Sequence, residues 1–297
     1  MKESKERAPK TRMKAAHRKE PESAARDRVG GDLRLIALLF HDIYDREPSE
    51  SGFRGPGANR YKLHIADFDE QLARVARARS DGPVLVATAL RHEASDPVPF
   101  AITFDDGGLS HYTMAAGRIE ARGWRGHFFV TTGMIGRRGF LGSQQIRELR
   151  AHGHVIGTHS MSHPIRFARS GWQAMVREWC ESRKVLSDLL GEDITAGSLP
   201  SGDFTLEVAQ AAAESGLRVL FTSEPETRAH IVDGCLVVGR FVVRRGASPD
   251  FASRLTRLKR PDLAREWVIW NLKKTAKSLL GSSYPGMPSQ PPAARDD

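Results

Sequence analysis

Seven short apolar runs, Leu33 to Phe40, Val84 to Ala89, Val98 to Phe104, His127 to Thr131, Val155 to Gly157, Arg218 to Thr222 and Leu236 to Val243, alternate along the chain with segments of helical period. Such runs have the pattern of buried strands, and their alternation with helices predicts an α/β domain built on a parallel, barrel-like sheet. The helices carry their own boundary signals. Asp67-x-x-Glu70 precedes an apolar-periodic run, Ser143 opens a helix that Gly153 closes, Trp172 to Leu190 ends at Gly191, and Thr205 to Ser215 ends at Gly216. The stretch from Asp32 to Leu280 is about 250 residues, the size of a single barrel with its own core. No internal repeat divides it.

The chemistry is concentrated in two segments. Ile102-Thr103-Phe104-Asp105-Asp106-Gly107 ends an apolar run in two adjacent carboxylates and a glycine, so the carboxylates fall where a strand leaves the core. Gly157-Thr158-His159-Ser160-Met161-Ser162-His163-Pro164 follows a second apolar run. His159 and His163 are four apart, and a single helical turn between them would aim both imidazoles at one point. Taken alone, each segment reads as a turn or a surface accident. Together, one carboxylate and two imidazoles make a catalytic metal set with open positions.

TFDDG followed by H-S-x-x-H resembles the first two motifs of the NodB-homology polysaccharide deacetylases, carbohydrate esterase family 4. The resemblance runs from about Leu33 to about Val243. Leu38-Leu39-Phe40-His41-Asp42-Ile43 is similar to the family's first strand and following His-x-Ile element, and Ser198-Leu199-Pro200-Ser201-Gly202 stands where its third motif is expected. The resemblance implies an irregular (β/α) barrel. It also implies that Asp106, His159 and His163 hold a divalent metal, zinc first, with cobalt, manganese or iron also suited to the ligands. Asp105 would then accept a proton from the metal-activated water, and the substrate would be an N-acetylated sugar or glycan intermediate.

Two departures bear on the mechanism. Where the family carries an arginine that holds the catalytic aspartate, this chain has Ala196-Gly197-Ser198, so no guanidinium is expected there. The family's late histidine, the acid for the leaving amine, has no counterpart at a strand end, because Val237 to Val243 leads into Arg244-Arg245. His230, in a polar stretch, and His41, ending the first strand-like run, are the two candidates for that acid, and His41 reads equally as a structural residue beneath the metal site. The alternative to an enzyme is a catalytically silent glycan-binding relative.

Charge is uneven. The net value of +9 comes from the ends, +5 over residues 1–20 and +7 over residues 244–277, around a nearly neutral middle. With the cations at the termini and no nucleic-acid module recognisable, nucleic acid is not an expected partner. Trp267, Val268, Ile269, Trp270, Leu272, Leu279 and Leu280 are interleaved with Lys273, Lys274 and Lys277. Such a basic amphipathic helix either packs its stripe onto the barrel or lies at an anionic membrane surface. The expected organisation is a basic disordered tail over 1–31, the barrel over 32–260, this helix over 261–280 and a Pro-rich disordered tail over 281–297. The first twenty residues lack the apolar segment of a secretory signal, and two cysteines make no disulfide framework. The expected location is therefore cytoplasmic, with peripheral contact at the inner membrane face. The Gly- and Pro-rich connection from Asp45 to Lys62 follows the first strand and should lie over the active-site face, where Arg54, Arg60 and Tyr61 are candidate sugar or phosphate contacts.

Overall fold

The computed structural model describes residues 33–89 and 97–280; the expected tails at 1–31 and 281–297 lie outside them. In chain order the elements are β1 (Ile36–Phe40), β2 (Ile43–Tyr44), α1 (Pro56–Asn59), β3 (Leu63–His64), α2 (Ile65–Ala78), α3 (Val86–Ala89), β4 (Phe100–Phe104) and α4 (Gly117–Glu120), the last preceded by a π-helical stretch His111–Ala116. Next come β5 (His127–Val130), α5 (Ser143–Ala151), β6 (Val155–Thr158), α6 (Trp172–Leu190), β7 (Ala196–Ser198), α7 (Leu206–Glu214), β8 (Val219–Phe221), β9 (His230–Val232), β10 (Cys235–Val238), β11 (Arg240–Val242), α8 (Phe251–Thr256) and α9 (Arg260–Leu280).

The main sheet runs β11-β1-β4-β5-β6-β7-β8-β10-β9, every pairing parallel except that of the edge strand β9 with β10. Only Gly239 separates β10, which pairs with β8, from β11, which pairs with β1. This one segment therefore links the two sides of the sheet, and the sheet curls into an irregular barrel. The crossing is crowded: a Cβ at Gly239 would stand 2.5 Å from the Glu224 carbonyl oxygen, so only glycine fits.

Side-chain alternation sorts the strands' residues into two cores. Ala37, Ala101, Phe129, Val219, Phe221 and Val238 belong to one buried cluster, together with Val86 and Ala89 of α3. Ile36, Leu38, Phe40, Ile102, Phe104 and Phe128 belong to another, which includes Phe68 and Leu72 of α2, Ile146 and Leu149 of α5 and Leu255 of α8. Phe104 and Phe128 stack at 4.7 Å, and deleting either ring would cost about 3 to 5 kcal/mol. A third cluster joins Trp179 of α6 and Val208 of α7 to Leu220 and Val237.

Six of the seven expected strands form, β6 running one residue further to Thr158 and the last beginning one residue early at Cys235 and divided at Gly239, and α6 has the predicted bounds. Val84 to Ala89 does not form a strand. It ends in the short helix α3, held where the Val86 N–H donates to His127 Nε2 at 3.0 Å; a continuous apolar run is equally compatible with a buried helical turn. The helix predicted from Asp67 starts earlier, at Ile65, because the His64 ring accepts from the Ala66 N–H as its cap.

Candidate metal centre and active site

β4 delivers the two carboxylates. The Asp105 N–H still donates to the Phe40 carbonyl at 3.1 Å, after which Asp106 and Gly107 take φ of 83° and 79° and turn the chain sharply. A positive φ at a non-glycine residue is strained, and such strain persists only where the surroundings enforce it. β6 delivers His159, whose N–H donates to Val130 O at 2.9 Å and whose Nδ1 lies 2.9 Å from Ser198 O. A carbonyl can only accept, so Nδ1 carries a proton and Nε2 is the nitrogen turned to Asp106, able to ligate once it is deprotonated.

The expected helical turn between His159 and His163 is absent. Ser160 and His163 adopt φ of 64° and 56°, and the segment is a bent loop pinned from α6, where the Glu178 carboxylate accepts from the N–H groups of Met161 and Ser162 and from Ser162 Oγ. The His163 N–H donates to Ser160 Oγ at 3.0 Å. Convergence of the imidazoles is thus enforced by α6 and not by helical spacing.

Asp106 Oδ1 lies 3.4 Å from His159 Nε2 and 3.5 Å from His163 Nε2. The edge of a tetrahedron with bonds near 2.0 Å is about 3.3 Å, so each imidazole nitrogen already stands at ligand spacing from the carboxylate. All three ligand atoms lie within 4.8 Å of one another. Burial works to raise the Asp106 pKa, but the bond to His159 and the nearby imidazoles outweigh it and hold the group ionised. Burial pushes His163 down to about 4, so that ring is neutral and able to ligate at pH 7. Burial acts the same way on His159, but Asp105 and Asp106 overcome it and raise that ring above the usual imidazole range.

Asp105 is not left without a guanidinium. Arg240, fully buried, places NH1 and NH2 each 2.7 Å from its Oδ1 and Oδ2, a bidentate pair. Ser198 Oγ joins them, donating to Asp105 Oδ2 at 2.9 Å and accepting from Arg240 NH2 at 2.7 Å. Arg240 Nε donates to Thr222 O at 2.8 Å, and the guanidinium lies over Phe129 and Phe221 at 5.8 and 5.9 Å. The position matching the family's arginine is indeed a serine. The cation arrives instead from β11, and the absence that suggested a silent relative is made good in space. Burial alone would raise the Asp105 pKa, but Arg240 and His159 together hold it below the usual carboxylate range.

Of the two candidate acids, His41 is at the site. Its ring is in the field of Asp106, Asp105, Arg240 and His159, its Nδ1 is buried with no hydrogen-bond partner among the described residues, and burial lowers its pKa. His230 opens the edge strand β9 opposite Val237, with its ring 6.3 Å from Phe204, which belongs to the cluster under α6 and α7. The connection after β1 does reach the site: Tyr61 packs on His41 at 4.9 Å and Phe53 on His163 at 4.8 Å. Asp42 anchors this connection, with Oδ1 accepting from Ser51 Oγ at 2.5 Å and from Ser110 Oγ at 2.8 Å, while the buried Lys62 Nζ donates to the carbonyls of Pro48 and Ser51.

Residues 93–220, which hold both carboxylates and both imidazoles, match the polysaccharide deacetylase family model. This segment is similar to the polysaccharide deacetylases. The protein described as putative polysaccharide deacetylase YxkH of Bacillus subtilis (strain 168) is 22% identical over 225 residues, covering 76% of this chain and 77% of its own. Two solved structures share the fold. Streptococcus pyogenes deacetylase PplD, in complex with acetate, superposes with a TM-score of 0.62 at 22% identity over 74% of this chain and 96% of that one. IcaB from Ammonifex degensii gives 0.62 at 21% identity over 76% and 98%. The expected deacetylase-type α/β fold is therefore present, and the NodB-homology motifs are the ones that converge.

Proposed function

We propose that this protein is a metal-dependent hydrolase that removes N-acetyl groups from an N-acetylated sugar or glycan intermediate. One observation carries the proposal: Asp106, His159 and His163 converge at metal-ligand spacing while Asp105, 3.9 Å from His159 Nε2, is bound to Arg240 instead. A divalent ion held by Asp106, His159 and His163, zinc in this proposal, would activate water and polarise the acetamide carbonyl.

The chain's own residues supply the proton path. An ionised carboxylate has about four lone-pair sites. Arg240 and Ser198 fill one on Oδ1 and two on Oδ2 of Asp105, leaving a site on Oδ1 to take the proton of the attacking water. The water oxygen joins the acyl carbon, the C–N bond breaks, and the amine nitrogen needs a proton. His41 is assigned that donation because it is the candidate imidazole at the site, where it takes up the proton against its burial, with Asp106 and Asp105 favouring the charged ring. Tyr61 and Phe53 flank the centre and give a sugar ring apolar faces to lie against.

Acetate release, screened over free, nucleotide-linked and lipid-linked N-acetylhexosamines, tests the proposal. Asp105→Asn should lower the rate by about a hundredfold or more while metal content stays constant. Full activity in that variant would refute the base assignment. His41→Ala should impair turnover far more than His230→Ala, and the reverse order would reassign the acid.

A further inference from the structure

The outer face of α9 is apolar and exposed among the described residues. Ala264, Trp267, Val268 and Leu272 share one side of the helix by their spacing, and Trp267, Val268 and Leu272 are 51%, 47% and 66% exposed. The opposite side is committed to the barrel. Ile269 and Trp270 line a small cavity with Ser223, Arg240, Val242 and Arg244, and Leu263 packs on the core.

Both acids of α9 are engaged by the body of the protein, Asp262 by Arg254 at 3.2 Å and Glu266 by Arg244 at 3.6 Å. Arg265 is exposed, and the helix continues through Lys273, Lys274 and Lys277. Residues 244–277 carry +7 in all. A second copy seated on this face would bring like charge against like charge, and aliphatic side chains such as Val268 and Leu272 gain nothing from a nucleic acid. An exposed Trp beside aliphatic residues, on a helix whose sequence also carries Arg265, Lys273, Lys274 and Lys277, matches the boundary between anionic headgroups and acyl chains. Among the described residues no helix is long and apolar enough to cross a membrane, so contact here would be peripheral.

We propose that α9 docks this protein on an anionic lipid bilayer through Trp267, Val268 and Leu272. Because its inner face packs where β8 and β11 end, docking brings the site-bearing edge of the barrel close to the headgroups.

The test is flotation of the full chain with phosphatidylcholine vesicles, with and without phosphatidylglycerol. The wild type should float with the anionic vesicles about tenfold or more better than with the neutral ones, and added salt should weaken the binding. Trp267→Ser/Val268→Ser/Leu272→Ser should lose most of this binding while acetate release from a soluble substrate stays unchanged. Lys273→Glu/Lys274→Glu should remove the preference for anionic lipid without touching the apolar face. The proposal is overturned if the wild type does not float, if it floats equally on both vesicles, or if the triple variant floats like the wild type. Sedimentation showing a dimer that the triple substitution dissolves, without flotation, would assign the face to a second copy instead. Because flotation requires no turnover, failure here leaves the deacetylase assignment standing.

Discussion

Arg240 stands in a strand segment of buried apolar residues, 135 positions after the aspartate it holds. Asp106, His159 and His163 could be read from the sequence because each belongs to a short local motif. The pairing of Asp105, Ser198 and Arg240 could not, because it is assembled by three strands meeting across the barrel interior. A signal was present: an arginine inside the run Leu236 to Val243 must find a buried anion or break the strand. Replacing it by methionine leaves Asp105 buried and uncompensated, and equilibrium unfolding should show a loss of about 3 to 5 kcal/mol. Asp105→Asn/Arg240→Met should lose less than the sum of the single changes, since the two side chains form one unit. Additive losses would show that the pair is not coupled. Ser198→Ala removes one bond to each partner and should cost on the order of 1 to 3 kcal/mol.

At the scale of elements, the connection from β2 to β3 is a built part of the site. Lys62 is 2% exposed and holds the Pro48 and Ser51 carbonyls, and burial lowers its pKa while Asp42 opposes the shift. Lys62→Met should therefore leave those carbonyls unpaired, destabilise by about 1 to 3 kcal/mol and raise KM more than it lowers kcat, as Phe53 and Tyr61 lose their support. Wild-type KM in that variant would show that the connection does not position substrate. Gly52→Ala should be worse, because its Cβ would stand 1.8 Å from Asp42 Oδ2 at a φ of 67°. The sequence placed this connection over the active-site face but could not reveal what anchors it, since Asp42 and Ser110 lie 68 residues apart. For the same reason the loop from His159 to His163 was misread as a helical turn: spacing alone does not show that Glu178 pins it. The strand β7, only Ala196–Ser198, was too short and too small in side chain to register as a strand.

For the whole molecule, the irregular barrel was expected from the family resemblance, while a parallel α/β sheet was legible in the alternation of strand and helix, because burying a parallel strand on both faces demands a continuous apolar run. The use of Gly239 to carry one segment from β8 to β1 was not, as a glycine in a strand has many meanings. The site also couples the fold to pH. Burial lowers His41, His127 and His163, the last two to about 4, so between roughly 6.5 and 4 the unfolded chain binds protons that the folded one excludes. Stability of the metal-free protein should fall as pH drops through that window; the stabilising contribution of His159, whose pKa is raised, sets in above it and is already complete near 6.5. A thermal midpoint that stayed flat or rose on acidification would contradict the assigned burial. Metal affinity should also weaken as pH falls below the raised value of His159, because a protonated imidazole cannot ligate. Elemental analysis of the purified protein and three variants tests the central claim most directly. A single divalent ion per chain is predicted in the wild type and in Asp105→Asn, with its loss in Asp106→Ala and His159→Ala. Metal-free wild type, or full metal content in His159→Ala, would contradict the account.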